Sequence, residues 1–220
     1  MTLEALAASL RQRLASPLPG PAAHAEMAPL GRDPDLSVLD PEGKNGRLAA
    51  TLVLFYPGPY ASPMFVLTER QATLRDHSGQ ISLPGGRRDG DETAEETARR
   101  EAFEEVGVDP DALDVLGRLS PLYIPPSGFS VTPVVAVVAE RPPFTPQEAE
   151  VAALLEVPLA DLLDPASRRS SRRSVRGGAF DVPYFELANR DVWGATAMML
   201  AELAILVQEA MGYSSTASTP

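Results

Sequence analysis

The sequence predicts an α/β domain with a mixed β-sheet held between helices. Three observations carry this. Short apolar runs recur from residue 47 to residue 187, most of them bounded by Pro or Gly. Two later segments have full helical length, 92–106, which lacks both breakers, and 193–211. Strand-like and helical stretches also interleave along the chain instead of segregating.

Taken in order, residues 1–15 place Leu3, Leu6, Leu10 and Leu14 at helical spacing, predicting a short amphipathic helix docked on the body. Residues 16–47 carry Pro17, Pro19, Pro21, Pro29, Pro34 and Pro41, and read as a linker or wrapped arm. Strands follow at 48–56 and 64–68 around the turn Pro57-Gly58-Pro59, with a shorter one at 81–83. The helix at 92–106 ends at Gly107, a C-cap residue. Segments 113–123 and 131–139 read as strands, the second so apolar that it belongs in the middle of the sheet. Another strand is expected at 151–157, then a short helix from Pro158 to about Leu163, a polar Arg-rich loop at 165–178, a strand at 179–187 and a helix at 193–211. The resulting division is an N-terminal helix plus arm (1–46), a main α/β domain (47–211) and a flexible tail (212–220).

Composition narrows the function. With 30 Asp+Glu against 19 Lys+Arg and a formal net charge of −11, the chain lacks the basic surface that a nucleic-acid binder needs, so no nucleic-acid partner is expected. The absence of cysteine excludes disulfides, thiolate metal sites and a Cys nucleophile. The most apolar stretch, 195–207, is interrupted by Glu202 and is shorter than a bilayer span, and residues 1–15 have no signal-peptide core. No membrane partner and a cytoplasmic location are the expectation. No Gly-x-x-x-x-Gly-Lys-Ser/Thr loop occurs, which excludes a P-loop nucleotidase. With His24 and His77 the only histidines and no Gly-x-Ser-x-Gly, a serine hydrolase is disfavoured.

Chemistry concentrates in Leu83-Pro84-Gly85-Gly86 and the helix that follows. Glu101 and Glu105 stand one turn apart on one helix face, about 40° and roughly 6 Å from each other, with Glu104 at its border. Three like charges so placed repel unless cations occupy the face, and Mg²⁺ is the natural occupant because it takes carboxylate and phosphate oxygens. Gly85 and Gly86 let the backbone approach a metal or phosphate closely. Arg100 can hold a carboxylate in a bidentate pair, and Glu92 lies near the positive end of the helix. A Glu-rich helix is by itself most often a solvated face.

The spacing decides for chemistry. Gly86, five residues, Glu92, seven residues, Arg100-Glu101, two residues, Glu104-Glu105, one residue, Gly107 resembles the signature of Nudix hydrolases, with Ala102 where the pattern has a larger aliphatic residue. The resemblance implies an α/β/α sandwich, Mg²⁺ or Mn²⁺ as cofactor, and hydrolysis of a nucleoside diphosphate linked to another group. It implies Glu101, Glu105 and Glu104 as metal ligands with the Gly86 carbonyl, and Arg100 and Glu92 as the pair that orients them. The general base is open between Glu104 and a distant loop residue, Glu150 or Glu148.

Upstream, Leu67-Thr68-Glu69-Arg70, Arg75, Gly79 and Leu83-Pro84-Gly85-Gly86 resemble the extension of the coenzyme A diphosphatase subgroup, with Gln71 and Leu83 departing from it. That resemblance implies cleavage of coenzyme A, with its acyl and oxidised forms as further candidates, to 4′-phosphopantetheine and adenosine 3′,5′-bisphosphate. Arg70, Arg75 and His77 are the candidate substrate-binding cations. Arg168, Arg169, Arg172, Arg173 and Arg176 are either a neutralising cluster for the adenosine 3′-phosphate or a solvated loop. The alternatives are the same chemistry on ADP-ribose or NADH, and a catalytically silent nucleotide-binding module. The N-terminal arm is a candidate homodimer contact.

Overall fold

Eleven strands and five helices form in the described residues, 1–28, 39–42, 44–72, 79–175 and 178–212 of the computed structural model. In chain order they are α1 (Leu3–Leu14), α2 (Pro21–Ala25), β1 (Arg47–Pro57), β2 (Pro63–Arg70), β3 (Ile81–Ser82), β4 (Gly85–Arg87) and α3 (Ala94–Val106). They continue as β5 (Asp114–Arg118), β6 (Leu122–Ile124), β7 (Phe129–Val137), β8 (Val151–Pro158), α4 (Leu159–Leu163), β9 (Arg168–Val175), β10 (Gly178–Leu187), β11 (Arg190–Trp193) and α5 (Ala195–Ala210).

β1 organises the main sheet. It runs parallel to β7 from Arg47↔Phe129 to Phe55↔Val137, while the other pairings are antiparallel, so the sheet is mixed. Both faces of β1 are buried: Ala50, Leu52, Leu54 and Tyr56 join one apolar cluster, and Val53 and Phe55 join the other. This is why its sequence is apolar without alternation. α3 covers the first face through Ala98, Ala102 and Val106, and α5 covers the second. The result is the expected α/β/α sandwich.

β1 and β2 pair only near their hairpin, at residues 55–57 and 63–65. Beyond it they diverge, and the segment β3–β4 fills the gap. β3 bonds β2 at residues 68–69, β4 bonds β1 at residues 49–51, and Leu52 N donates to Pro84 O between them at 2.8 Å. A glycine is required there: a Cβ on Gly85 would lie 2.4 Å from Ala50 O. The Gly-Gly segment is thereby set as a wedge in the split of the sheet.

The N-terminal helix is part of the core. Leu6 and Leu10 are fully buried against α5 and β5, each burial contributing about 1.5–3 kcal/mol. The segment expected to be a plain arm also contains α2, which packs on α5. Residues 29–38 and 43 of that arm, and 213–220 of the tail, lie outside the described residues.

Four expectations are corrected. The Arg-rich stretch is a strand, β9, because β10 supplies its backbone partners and no apolar alternation is needed on an exposed sheet edge. Segment 113–123 breaks into β5 and β6, since Pro121 has no N–H to extend the ladder. The last helix begins at Ala195: Gly194 adopts φ 66° and leaves Trp193 at the end of β11. The middle helix begins at Ala94, with Thr93 as its cap, so Glu92 precedes it. Among the described residues no helix is long and apolar enough to cross a membrane.

Candidate active site

α3 is fixed at both ends. Thr93 and Glu96 form a reciprocal capping box at its start, and Gly107, at φ 73°, closes its end. The following loop is tied to that end, where Thr145 N donates to Val106 O and Gln147 N to Glu105 O, both at 2.9 Å.

The rigid helix presents its carboxylates to the wedge. Gly86 faces Glu101 so closely that a Cβ would lie 2.5 Å from the carboxylate. Glu105 is only 5% exposed, and its Oε2 accepts a hydrogen bond from Gly85 N at 3.0 Å. Arg70, at the end of β2, brings Nη1 to 3.7 Å from Glu105 Oε1, and its buried Nε has no partner among the described residues.

Arg100 organises the other acids. Its Nε and Nη2 grip Glu92 at 2.8 and 3.1 Å, and its Nη1 reaches Glu101 at 2.8 Å and Glu104 at 3.1 Å. Glu92 also accepts from Asp89 N and the Thr97 hydroxyl. Hydrogen bonds from Arg100 hold the Glu92 carboxyl at about 2. Burial has the opposite effect on the other two inner acids: it pushes Glu105 up to about 7, with Glu101 and Glu150 adding to the rise, and it raises Glu101 against the pull of Arg100.

Glu101, Glu104, Glu105, Gly86 and Arg100 are therefore brought together, with Arg70 at the edge. Glu150 is exposed on the loop pinned to the end of α3, close enough that its charge acts on both Glu101 and Glu105. Glu148 is tied through its carbonyl, which accepts from Gln71 Nε2. Arg75 and His77 lie outside the described residues, as does Arg176. The remaining β9 arginines are mostly committed elsewhere: Arg168 pairs with Glu26, Arg169 with Glu186 and Arg173 with Asp191, Arg173 also lying over the Tyr184 and Trp193 rings. Ion pairs with Glu26, Glu186 and Asp191 thus hold three of these arginines on the sheet edge. Thr97 and Thr93, which the sequence reading passed over, support the site through Glu92 and the helix cap.

The side-chain donors gathered here are carboxylate oxygens, the type that hard divalent cations take. A buried Glu105 with one N–H partner and acidic neighbours is a cation-seeking group, so the residues fit a hard divalent cation. Among the described residues no three acids already form a closed cage, because Arg100 sits between them.

Residues 46–176 match the NUDIX domain family. The chain is 40% identical over 166 residues to the "Uncharacterized Nudix hydrolase NudL" of Cronobacter sakazakii, covering 75% of this chain and 85% of that protein. It is 33% identical over 190 residues to "Nudix hydrolase 15, mitochondrial" of Arabidopsis thaliana, covering 83% of this chain but 64% of the plant protein's length. Among solved structures, a MutT/nudix family protein from Enterococcus faecalis superposes with a TM-score of 0.51 at 17% identity, over 78% of this chain and 70% of that one, a likeness of fold.

Proposed function

The chain belongs to the Nudix family, and on that premise we propose that it is a divalent-metal-dependent hydrolase of a nucleoside diphosphate derivative, with coenzyme A as substrate. The observation that carries the reading is Glu105: a carboxylate buried against the Gly85-Gly86 wedge, beside Glu101, with its charge largely uncompensated.

In this reading Glu101, Glu105 and Glu104 hold Mg²⁺ or Mn²⁺ together with the Gly86 carbonyl. The bound cation supplies neutralisation of the diphosphate and acidity for the attacking water. Arg100, clamped by Glu92, positions Glu101 and Glu104. Glu150, or Glu104, accepts the proton of the water as its oxygen attacks one phosphorus in line. The bond from that phosphorus to the bridging oxygen breaks, and the bridging oxygen leaves with the other phosphate. Arg70, partly exposed at the edge of the site beside Glu105, is placed to meet a substrate phosphate through its guanidinium terminus. The choice of coenzyme A rests on the upstream motif, of which Arg70, Gly79 and Pro84-Gly85-Gly86 are described; the products are then 4′-phosphopantetheine and adenosine 3′,5′-bisphosphate.

The test is product separation after incubation with coenzyme A, its acyl and oxidised forms, ADP-ribose and NADH, each with Mg²⁺, Mn²⁺ or chelator. Metal-dependent cleavage of coenzyme A is expected. Turnover of ADP-ribose or NADH with coenzyme A left intact would replace the substrate, and no turnover of any diphosphate would leave a silent binding module.

A further inference from the structure

Outside the carboxylate cluster, the sheet face under α3 contains a half-open cavity of about 280 Å³. Its floor is the start of β1 at Leu48 and Ala49, with Thr132 of β7 beside them; the N-terminal turn of α3 forms one wall. Two guanidinium groups line it. Arg118 comes from β5, and Arg88 from the residue just after the wedge, its backbone N–H held by Leu48 O at 3.0 Å.

The two arginines differ in their commitments. Arg118 gives Nε and Nη2 to Glu95, leaving Nη1 free of that pair. Arg88 makes no side-chain hydrogen bond or ion pair among the described residues, and its Nε is buried without a partner. The buried Nε is closed to a ligand in the cavity, so it is the two terminal nitrogens of Arg88, which no carboxylate holds among the described residues, that are left to donate there. The acids nearby are engaged by other groups: Glu92, which also lines the cavity, accepts from Arg100, Thr97 and Asp89 N, and Glu96, which feels the Arg88 charge, has its Oε2 bound by Thr93 N. Arg88, the Arg118 Nη1 and the Thr132 hydroxyl are donors carried by the lining residues, a set whose chemistry suits the oxygens of a phosphate. The apolar side chains of Leu48, 49% exposed, and Ala49 leave room for a short organic stem.

We propose that this cavity is a phosphate-binding site, distinct from the metal-binding carboxylates, in which Arg88 is the principal cation and Arg118 and Thr132 are flanking donors. The ligand class is inorganic phosphate or the phosphomonoester of a small molecule. The inference stands on the cavity and the unpartnered arginine, and holds whatever diphosphate the carboxylate site hydrolyses.

The experiment is calorimetric titration of the full chain, kept in chelator, with inorganic phosphate and separately with adenosine 3′,5′-bisphosphate. Saturable binding is expected. Arg88→Gln should weaken it roughly 10- to 100-fold, the range for losing a charge-assisted pair, while Arg88→Lys, which keeps charge without the fork, should lose less. Thr132→Val should weaken it a few-fold. Arg11→Gln, a surface charge control, should bind like the parent, and melting curves should show the variants folded. Tighter binding of the bisphosphate assigns the site to an organic phosphomonoester; equal binding assigns it to the free anion. No saturable binding of either, or equal binding by the parent and Arg88→Gln, overturns the proposal.

Discussion

Two glutamates are buried on opposite faces of the main sheet, Glu105 on α3 and Glu202 on α5. Glu202 is satisfied. Its Oε1 accepts from Gly20 N and its Oε2 from Ser120 N, both at 2.9 Å, with His24 Nε2 at 3.4 Å and equally buried. Burial alone would raise its pKa, but His24 and the Ser120 and Gly20 N–H groups outweigh that and hold it below the usual value. Glu105 receives one N–H and a guanidinium at longer range, among other acids, so burial prevails and lifts it to about 7. Burial is common to both. What separates a structural carboxylate from a reactive one is how completely the fold satisfies it.

The largest expected effect separates the two by what they do. Glu105→Gln should lower metal-dependent hydrolysis about a thousandfold, equivalent to about 4 kcal/mol, with the metal-free melting temperature unchanged or raised because a buried charge is gone. Steady-state rates and melting of the same preparation check it; a parent-like rate would end the comparison. Next, Glu202→Ala should destabilise the fold by about 3 kcal/mol, stranding Gly20 N, Ser120 N and His24, while the folded fraction keeps its hydrolysis rate. Urea unfolding together with activity per folded molecule measures this, and a lost rate at full stability would show that Glu202 is not structural.

The smallest effect is in pH dependence. In chelator, the raised pKa of Glu105 means that the folded state holds more protons than the unfolded one between about 4.5 and 7, so this group's contribution to stability falls, by about 2–3 kcal/mol, as pH rises through that window. Glu202 has the opposite sign: its contribution is present above the unfolded value and is lost as pH falls through its depressed folded value. Urea unfolding across pH 4–8 should show the first slope in the parent and none of it in Glu105→Gln, and added Mg²⁺ or Mn²⁺ should flatten it in the parent.

Legibility in the sequence followed the range of the interaction. α3, Gly107 and the placing of Glu101, Glu104 and Glu105 on one face follow from helical spacing, and β1 and β7 from unbroken apolar runs. β4 could not be read, because Gly85 and Gly86 carry no strand propensity and pair only because β1 and β2 diverge. β9 was hidden because its arginines take their partners from Glu26, Glu186 and Asp191, which no local pattern reveals. Glu202 looked like no more than an interruption of an apolar stretch; its partners at Gly20, His24 and Ser120 meet it only in the folded chain. Arg88 carries no spacing signal, and that its side chain has no hydrogen-bond partner among the described residues appears only in the folded chain.

The contacts among α1, α2 and α5 bear on the order in which the molecule is made. The surface that Leu6 and Leu10 cover is shared between β5 and α5, a helix far along the chain, so on the ribosome these early leucines have only part of their native partners until α5 has emerged. Closing that long-range contact is entropically late, and pulse-labelled hydrogen exchange during refolding should find α1 and α5 gaining protection together, after the strands around β1.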